Sequence, residues 1–211
     1  MKKKALIFVI ILFSLNSFGD EYLRAFVKQY KSQNGLYILT VYPTQIPKNY
    51  NKEIKKRKRY PEKYINKSLK DTIIPCYAIL SKRISRDELL TETVWKRDLV
   101  NSTAPQEVYV SNDGEFVVTF DDWFYSGKGE NVMVVYDEKG NKLQSYKLFE
   151  ISPFPLNDLV QTISSIYWFF GVENYSEFPK AIEILVINRK NQIMKKRYSL
   201  TELKFETIKS L

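Results

Sequence analysis

Two ten-residue stretches of this chain follow one pattern, and that pattern is typical of a β-hairpin. The stretches are SQNGLYILTV (32–41) and SNDGEFVVTF (111–120). Each runs Ser, any residue, Asn or Asp, Gly, any residue, an aromatic residue, two aliphatic residues, Thr and an apolar residue. Gly35 and Gly114 can adopt the positive φ that a tight turn requires, and the apolar run after each glycine predicts a strand. Each stretch therefore predicts a turn and the strand after it, with the first strand of the hairpin just upstream.

A second pattern recurs towards the end of the chain. YKLFEI (146–151) and YSLTEL (198–203) each follow an apolar run and a polar turn, and the segment 76–99 has the same order of features. Together the two patterns predict three degenerate units of about four strands each. The units span 22–101, with a long insertion at 44–72, then 105–151 and 164–205. The sequence thus predicts a mainly β, single-domain antiparallel meander over 20–211, with a β-sandwich or barrel as the alternative.

The stretch VMVVY (132–136) adds a constraint on how the units are arranged. An antiparallel strand with one face in water alternates between apolar and polar residues, and this strand does not. We therefore expect the neighbouring units to cover it on both sides. Helix signals are few, and the clearest is Asn157 as a cap for a short helix over 158–164.

The N-terminus has the three parts of a secretory signal peptide. Lys2, Lys3 and Lys4 precede an 11-residue apolar run, and small residues stand at Ser17 and Gly19. A membrane-spanning helix needs about 20 apolar residues. We therefore predict a signal peptide over 1–19, cleavage after Gly19, no transmembrane segment in the remaining chain, and a secreted or periplasmic location.

The single cysteine limits how an exported chain of this kind is stabilised. One cysteine cannot form an internal disulfide, so the fold must be held by packing. Cys76 lies in the apolar run IIPCYAIL (73–80), and a buried thiol in that run is the preferred interpretation.

Positive charge is concentrated in one segment. The net charge of +9 falls to +6 without the three N-terminal lysines, and residues 48–70 alone carry +8. The cationic run within that segment is Lys55, Lys56, Arg57, Lys58 and Arg59. Export makes nucleic acid an improbable partner, so the run predicts contact with an anionic envelope surface or with another protein. The alternative is a solvated loop with no binding role.

The composition excludes several chemistries. The chain has no histidine, which rules out Ser-His-Asp and Cys-His catalysis and removes the commonest zinc ligand. Gly127-Lys128-Gly129 lacks the strand-to-helix context and further glycines of a phosphate-binding loop. We therefore predict no catalytic residue, no cofactor and no metal.

Carboxylates remain, and Asp121-Asp122-Trp123 is their most conspicuous grouping. Glycoside hydrolysis needs two carboxyl groups about 5–10 Å apart, with Trp123 or Trp168 as a stacking platform for the sugar. Glu115, Glu130 and Asp137 are further candidates. A second interpretation is a calcium site formed by Asp121, Asp122 and carbonyl groups of 124–131. The preferred interpretation is that the aspartates anchor the following loop through its backbone N–H groups.

A set of residues spread between 95 and 151 carries a resemblance to a known kind of repeat. They are Trp95, Leu99, Pro105, Ser111-Asn112-Asp113-Gly114, Val117-Val118-Thr119-Phe120-Asp121, Trp123, Val134-Val135-Tyr136-Asp137, Gly140 and Leu148. With these residues the stretch resembles β-propeller blades of the WD40 and NHL kind, and more closely a group of uncharacterised secreted bacterial proteins with a single recognisable blade. Three units are fewer than the four to eight of a propeller. The resemblance thus implies an open or incomplete propeller-like stack, and it implies no activity.

These observations predict an exported, non-enzymatic β-repeat protein that acts as a binding module or as a scaffold of the cell envelope. Two alternatives stay open. One is a hydrolase of glycans that uses carboxylates such as Glu115, Asp121 and Asp122. The other is attachment to an anionic surface through residues 55–59.

Overall fold

The structure is a computed structural model, and it describes residues 24–59, 72–84, 90–177 and 180–206. The predicted signal peptide (1–19) and residues 60–71 of the basic insertion lie outside those ranges. The described chain is mainly β and forms three four-stranded antiparallel sheets, one for each predicted unit, with no closed barrel among them. The predicted class of fold is therefore confirmed.

Each sheet is a meander in which every strand pairs with the next one along the chain. Unit one contains β1 (Lys28–Lys31), β2 (Tyr37–Tyr42), β3 (Tyr77–Arg83) and β4 (Thr91–Asp98). Unit two contains β5 (Glu107–Val110), β6 (Val117–Phe120), β7 (Met133–Tyr136) and β8 (Lys142–Tyr146). Unit three contains β11 (Phe169–Glu177), β12 (Lys180–Ile187), β13 (Ile193–Ser199) and β14 (Lys204–Phe205).

The connecting segments hold the remaining elements. They are helix α1 (Tyr50–Arg59) in the basic insertion, helix α2 (Leu148–Ile151), a 3₁₀ turn (Leu156–Asp158), and the ribbon of β9 (Val160–Gln161) with β10 (Ile166–Tyr167). The helix predicted over 158–164 is wrong. The backbone N–H of Thr162 donates to the carbonyl of Ser165 at 2.8 Å, and the Thr162 hydroxyl accepts the Ser165 N–H at 3.0 Å. Side-chain bonds of this kind favour a turn over a helix, and here they close the ribbon.

The repeated hairpin turns have the same hydrogen bonds. A serine hydroxyl donates to the side chain two residues later, at 2.7 Å from Ser32 to Asn34 and at 2.6 Å from Ser111 to Asp113. The same hydroxyl accepts the backbone N–H of the aromatic residue at 3.0 and 2.9 Å. The two glycines have φ of 70° and 75°, as the turn requires. The sequence repeat is thus a repeat of local structure.

The second repeated turn aligns the strands of unit three with those of unit two. The Oδ1 atom of Asp137, after β7, accepts the N–H groups two and four residues later at 2.9 and 2.7 Å. Asn188, after β12, does the same at 2.9 Å each. Strand β12 therefore corresponds to β7, β13 to β8, and β11 to β6. Within the described chain, unit three lacks a counterpart of β5 and has β14 at the other edge instead.

The core lies on both faces of the middle sheet. Val118 and Phe120 pack in the cluster shared with unit three, whereas Val117, Val134 and Tyr136 pack in the cluster shared with unit one. Every residue of β6 and β7 is buried. The prediction that VMVVY is covered on both faces is confirmed.

Cys76 is buried and unpaired in the cluster between units one and two, where burial raises the pKa of its thiol to about 12.

Candidate functional site

Asp121 immediately follows the last residue of β6. Its φ of 56° lies in the left-handed region, which Asp tolerates better than most residues, so the chain turns out of the strand at this point. Its backbone N–H donates to the carbonyl of Val132 at 2.7 Å, which closes the sheet beyond the last strand residue. Because the chain has already turned, Asp121 and Asp122 do not follow the alternation of a strand.

The Asp121 carboxylate is buried and takes up hydrogen bonds from two units. It accepts the backbone N–H of Gly127 at 2.6 Å and the hydroxyl of Ser126 at 2.9 Å, both in the loop that follows β6. It also accepts the indole N–H of Trp168 at 2.9 Å. Trp168 immediately precedes β11, so this carboxylate ties the loop of unit two to the start of unit three.

The protonation of Asp121 reflects that burial. Removal from water raises the pKa of its carboxyl to about 6, against the opposing effect of the hydrogen bonds from Gly127, Trp168 and Ser126. The charge of Asp122 adds to the increase. A carboxyl with a raised pKa suits a general acid. Here, however, the carboxyl is enclosed by protein donors, and no route to a substrate is apparent.

Asp122 makes the corresponding connection to unit one. Its carboxylate accepts the backbone N–H of Ser102 at 2.6 Å, the Ser102 hydroxyl, and the backbone N–H of Thr103 at 3.1 Å. It also accepts the N–H of Trp123 at 2.8 Å. Residues 102–103 belong to the linker between β4 and β5. The carboxylate therefore fixes the path of the chain from unit one to unit two.

Trp123 completes a junction between the units. Its backbone N–H donates to the carbonyl of Ala104 at 2.9 Å, and the edge of its ring meets the ring of Phe26, with centroids 5.7 Å apart. We call Asp121, Asp122 and Trp123 the Asp-Asp-Trp joint. Its three side chains connect all three units. The aspartates were expected to anchor one loop, and their contacts extend that role to the whole stack.

Glu115 does not converge with Asp121 and Asp122, the other carboxylates named for a hydrolase. Glu115 precedes β6 and Asp121 follows it, six residues apart, or about 15–20 Å along an extended chain. Glu115 pairs with Lys180 of unit three, which also pairs with Asp113 at 2.7 Å. Among the described residues, no group of three or more His, Cys, Asp or Glu side chains is arranged to hold a metal ion.

Trp168 is the partner of the Asp-Asp-Trp joint that the sequence did not identify. It was a candidate platform for sugar stacking, but it is fully buried and cannot act as one. Its bond to Asp121 links residues 47 positions apart. The one sequence signal is general: a buried indole N–H needs an acceptor, and a carboxylate is a strong one.

Another concave surface lies apart from this joint, where the sheets of the three units meet at their leading edges. A cleft of about 600 Å³ opens there. Its walls are β5 of unit two, the end of β1 in unit one, and the start of β11 in unit three. The lining residues are Lys31, Gln33, Glu107, Val108, Tyr109, Val110, Phe120, Phe169, Phe170, Gly171 and Val172. We call this the first-strand cleft. Phe170 is 58% exposed in it.

A smaller cavity of about 280 Å³ lies beside the Asp-Asp-Trp joint. Asp122, Tyr125, Lys128 and Glu130 are among its lining residues. Its charged groups already have partners: the Lys128 amine donates to the carbonyl of Ile163 at 2.6 Å, and Glu130 pairs with a lysine at 2.7 Å. This cavity is therefore less suited to a ligand than the first-strand cleft.

The cationic run Lys55, Lys56, Arg57, Lys58 and Arg59 forms the end of helix α1. Glu53 in the first turn and cations in the last turn both complement the helix dipole, and Lys56 pairs with Glu53 at 3.0 Å. This part of the insertion is therefore a helix and not a solvated loop.

Within the described residues, no helix is both long and apolar enough to cross a bilayer.

Comparisons with known proteins give no assignment. No protein-family model, no curated protein and no solved structure matches this chain. The likeness to propeller blades therefore stays a prediction from the sequence, and a function has to be argued from the fold and from its clefts.

Proposed function

We propose that this protein is an exported, non-enzymatic binding module or scaffold of the cell envelope, and that the first-strand cleft is its ligand site. The observation that carries the proposal is that all three units contribute to this one cleft. Its volume of about 600 Å³ lies in the range of small-ligand sites. Stacked repeats bind ligands on the concave surfaces that neighbouring units form together, and this cleft is such a surface.

The lining has the composition of a binding site. Aromatic and aliphatic side chains dominate, with Tyr109, Phe170 and Val172 among them, and Lys31 and Glu107 add charge. Apolar walls supply affinity, and a few polar groups orient the ligand. Nothing in this lining resembles a pair of catalytic carboxylates.

The hydrolase alternative is less favoured for geometric reasons. Asp121 is buried against Trp168, Asp122 is occupied by the linker at 102–103, and Glu115 lies at the far end of β6. Two carboxyl groups within 10 Å on either side of an open cleft would be needed. Export rests on the N-terminal sequence, which the described residues do not include.

Mapping ligands onto the backbone tests the proposal. Purified ¹⁵N-labelled protein is titrated with a library of short peptides and oligosaccharides, and amide shifts are recorded. The expected result is that ligands shift the amides of 107–110 and 169–172. The amides of β4, at the far edge of unit one, serve as the reference and are expected not to shift. Ligands that instead shift 121–131, or turnover of a glycan that Asp122→Asn abolishes, would refute the proposal.

A second candidate function is attachment to an anionic surface, and the shape of α1 favours it. Tyr50, Glu53, Ile54 and Arg57 are half-buried, whereas the other cationic residues face outward. The outward residues are Lys52, Lys55, Lys56, Lys58 and Arg59. Each lysine or arginine near an anionic membrane adds about 1 kcal/mol of attraction.

Vesicle sedimentation tests this candidate. We expect binding to vesicles with 30% phosphatidylglycerol that falls as salt is raised. The triple variant Lys52→Gln/Lys55→Gln/Lys58→Gln is expected to bind roughly 100-fold more weakly. The matched variant Lys139→Gln/Lys142→Gln/Lys190→Gln loses the same charge from exposed positions outside α1 and is expected to bind nearly as wild type. Equal losses in both variants would show that net charge, and not α1, is responsible.

A further inference from the structure

We infer that the ligand of the first-strand cleft is an extended polypeptide segment, which adds to the open edge of β11 as the first strand that unit three lacks. This inference rests on the proposed function, because it assigns a ligand class to the same cleft. It is drawn from the comparison of the three units with one another.

The missing strand follows from the alignment of the repeats. The turns after β7 and β12 share their hydrogen bonds, so β11 stands where β6 stands in unit two. In unit two β6 pairs on one edge with β7 and on the other with β5. In unit three β11 pairs with β12, and it is the terminal strand of the described sheet. Among the described residues, no strand therefore covers in unit three the edge that β5 covers in unit two.

The cleft lies at that open edge. Phe169, Phe170, Gly171 and Val172 are the residues of β11 that line it. A Cβ added to Gly171 would meet nothing within 4 Å, so the space above the strand is unoccupied at this residue. Terminal strands with exposed backbone groups are the usual sites of strand addition.

The opposite wall indicates which side chains the segment would carry. In unit two, Val108 and Val110 of β5 pack in the cluster shared with unit one, and Val110 is fully buried there. A strand at the same place in unit three would direct alternate side chains towards unit two. Phe120 of unit two stands at that wall, and its ring stacks on the ring of Phe169 of β11 with centroids 4.6 Å apart. The segment should therefore alternate, with apolar residues at every second position.

The first strands of units one and two indicate how long the bound segment would be. Both β1 and β5 are four residues long, so a segment of about four paired residues, or about 13 Å, completes the unit. Pairing would be antiparallel, as β5 pairs with β6. Backbone hydrogen bonds would supply part of the affinity, and the alternating apolar side chains would supply the selection.

A peptide copied from β5 is a direct probe. The blocked peptide PQEVYVSN, residues 105–112 of this chain, is titrated into the ¹⁵N-labelled protein, and hydrogen exchange is followed at saturation. We expect shifts at 169–172 and slowed exchange of backbone amides within Gly171–Glu173. Two control peptides accompany it. In PQESYSSN both valines are replaced by serine, and in the other the backbone nitrogens of Glu107 and Tyr109, whose N–H groups face β6 in unit two, are methylated.

The controls separate strand addition from other modes of binding. Both control peptides are expected to bind at least tenfold more weakly, one through lost apolar burial and the other through lost backbone bonds. Equal binding of the methylated peptide would refute strand addition while leaving the cleft as a ligand site. No shift at 169–172 with the parent peptide, together with shifts there from an oligosaccharide, would refute the polypeptide ligand alone. No shift there with either class would refute the proposed function as well.

Discussion

Replacing Asp121 by asparagine should change how the stability of the protein depends on pH. Asparagine keeps the shape of the side chain and tolerates the left-handed backbone, where φ is 56°. It retains one oxygen acceptor for the bonds from Gly127 and Trp168, but it cannot ionise. The substitution therefore isolates the cost of holding a carboxylate in the Asp-Asp-Trp joint.

The sign of the effect follows from the direction of the pKa shift. Burial raises the pKa of Asp121 to about 6, whereas the ordinary value is 3.8. Between these values the folded protein binds a proton that the unfolded chain does not, so stability falls as pH rises. Each pH unit is worth about 1.4 kcal/mol, which gives about 3 kcal/mol over the whole interval. That contribution is present below pH 3.8 and lost above about pH 6.

Urea unfolding followed by circular dichroism at pH 4 to 8 measures the effect. The difference in unfolding free energy between wild type and Asp121→Asn cancels most of the titration of other groups. We expect this difference to shift by about 2 kcal/mol in favour of wild type between pH 7 and pH 4, because pH 4 does not quite reach the lower end of the interval. A difference that stays constant across this range would refute the assignment of Asp121 as a buried carboxyl with a raised pKa.

Three further substitutions or reactions test the packing. Trp168→Phe removes the indole donor to the buried carboxylate and should lower the unfolding free energy by at least about 2 kcal/mol; a loss below 0.5 kcal/mol in urea unfolding would contradict that bond. Gly114→Ala places a methyl group against the Tyr37 ring at φ 75° and should cost about 2–4 kcal/mol, whereas Gly129→Ala, at φ 90° but in open space, should cost only about 1–2 kcal/mol. Cys76, with its buried thiol and raised pKa, should react with iodoacetamide at pH 8 only after unfolding, and rapid labelling of the native protein would contradict its burial.

The division into three units could be predicted because it depends on short-range chemistry. Turn residues and the period of two in the strands are local, and they located β5 at Glu107–Val110 and the turns at Gly35 and Gly114. The covered faces of β7 followed from its lack of alternation. Each of these features is visible within about ten residues of sequence.

The site could not be predicted in the same way, because it is made of long-range contacts. Asp121 and Trp168 are 47 residues apart, and no local pattern relates them. The first-strand cleft arises from the packing of separate sheets and from a strand that unit three lacks. Helix α1 was missed because the repulsion within a cationic run favoured a loop. Lysine and arginine are nevertheless good helix formers, and Glu53 at the first turn assists them.

The central claim is that ligand is held by the first-strand cleft and that the Asp-Asp-Trp joint is structural. The most direct test is the affinity of one cleft-binding ligand for the variants Phe170→Ala and Asp122→Asn. Phe149→Ala is the matched control, because Phe149 is 64% exposed and lies outside the cleft. We predict that Phe170→Ala weakens binding about tenfold, the equivalent of about 1.4 kcal/mol, and that the other two variants bind as wild type. Unchanged binding by Phe170→Ala with loss of binding by Asp122→Asn would contradict the claim.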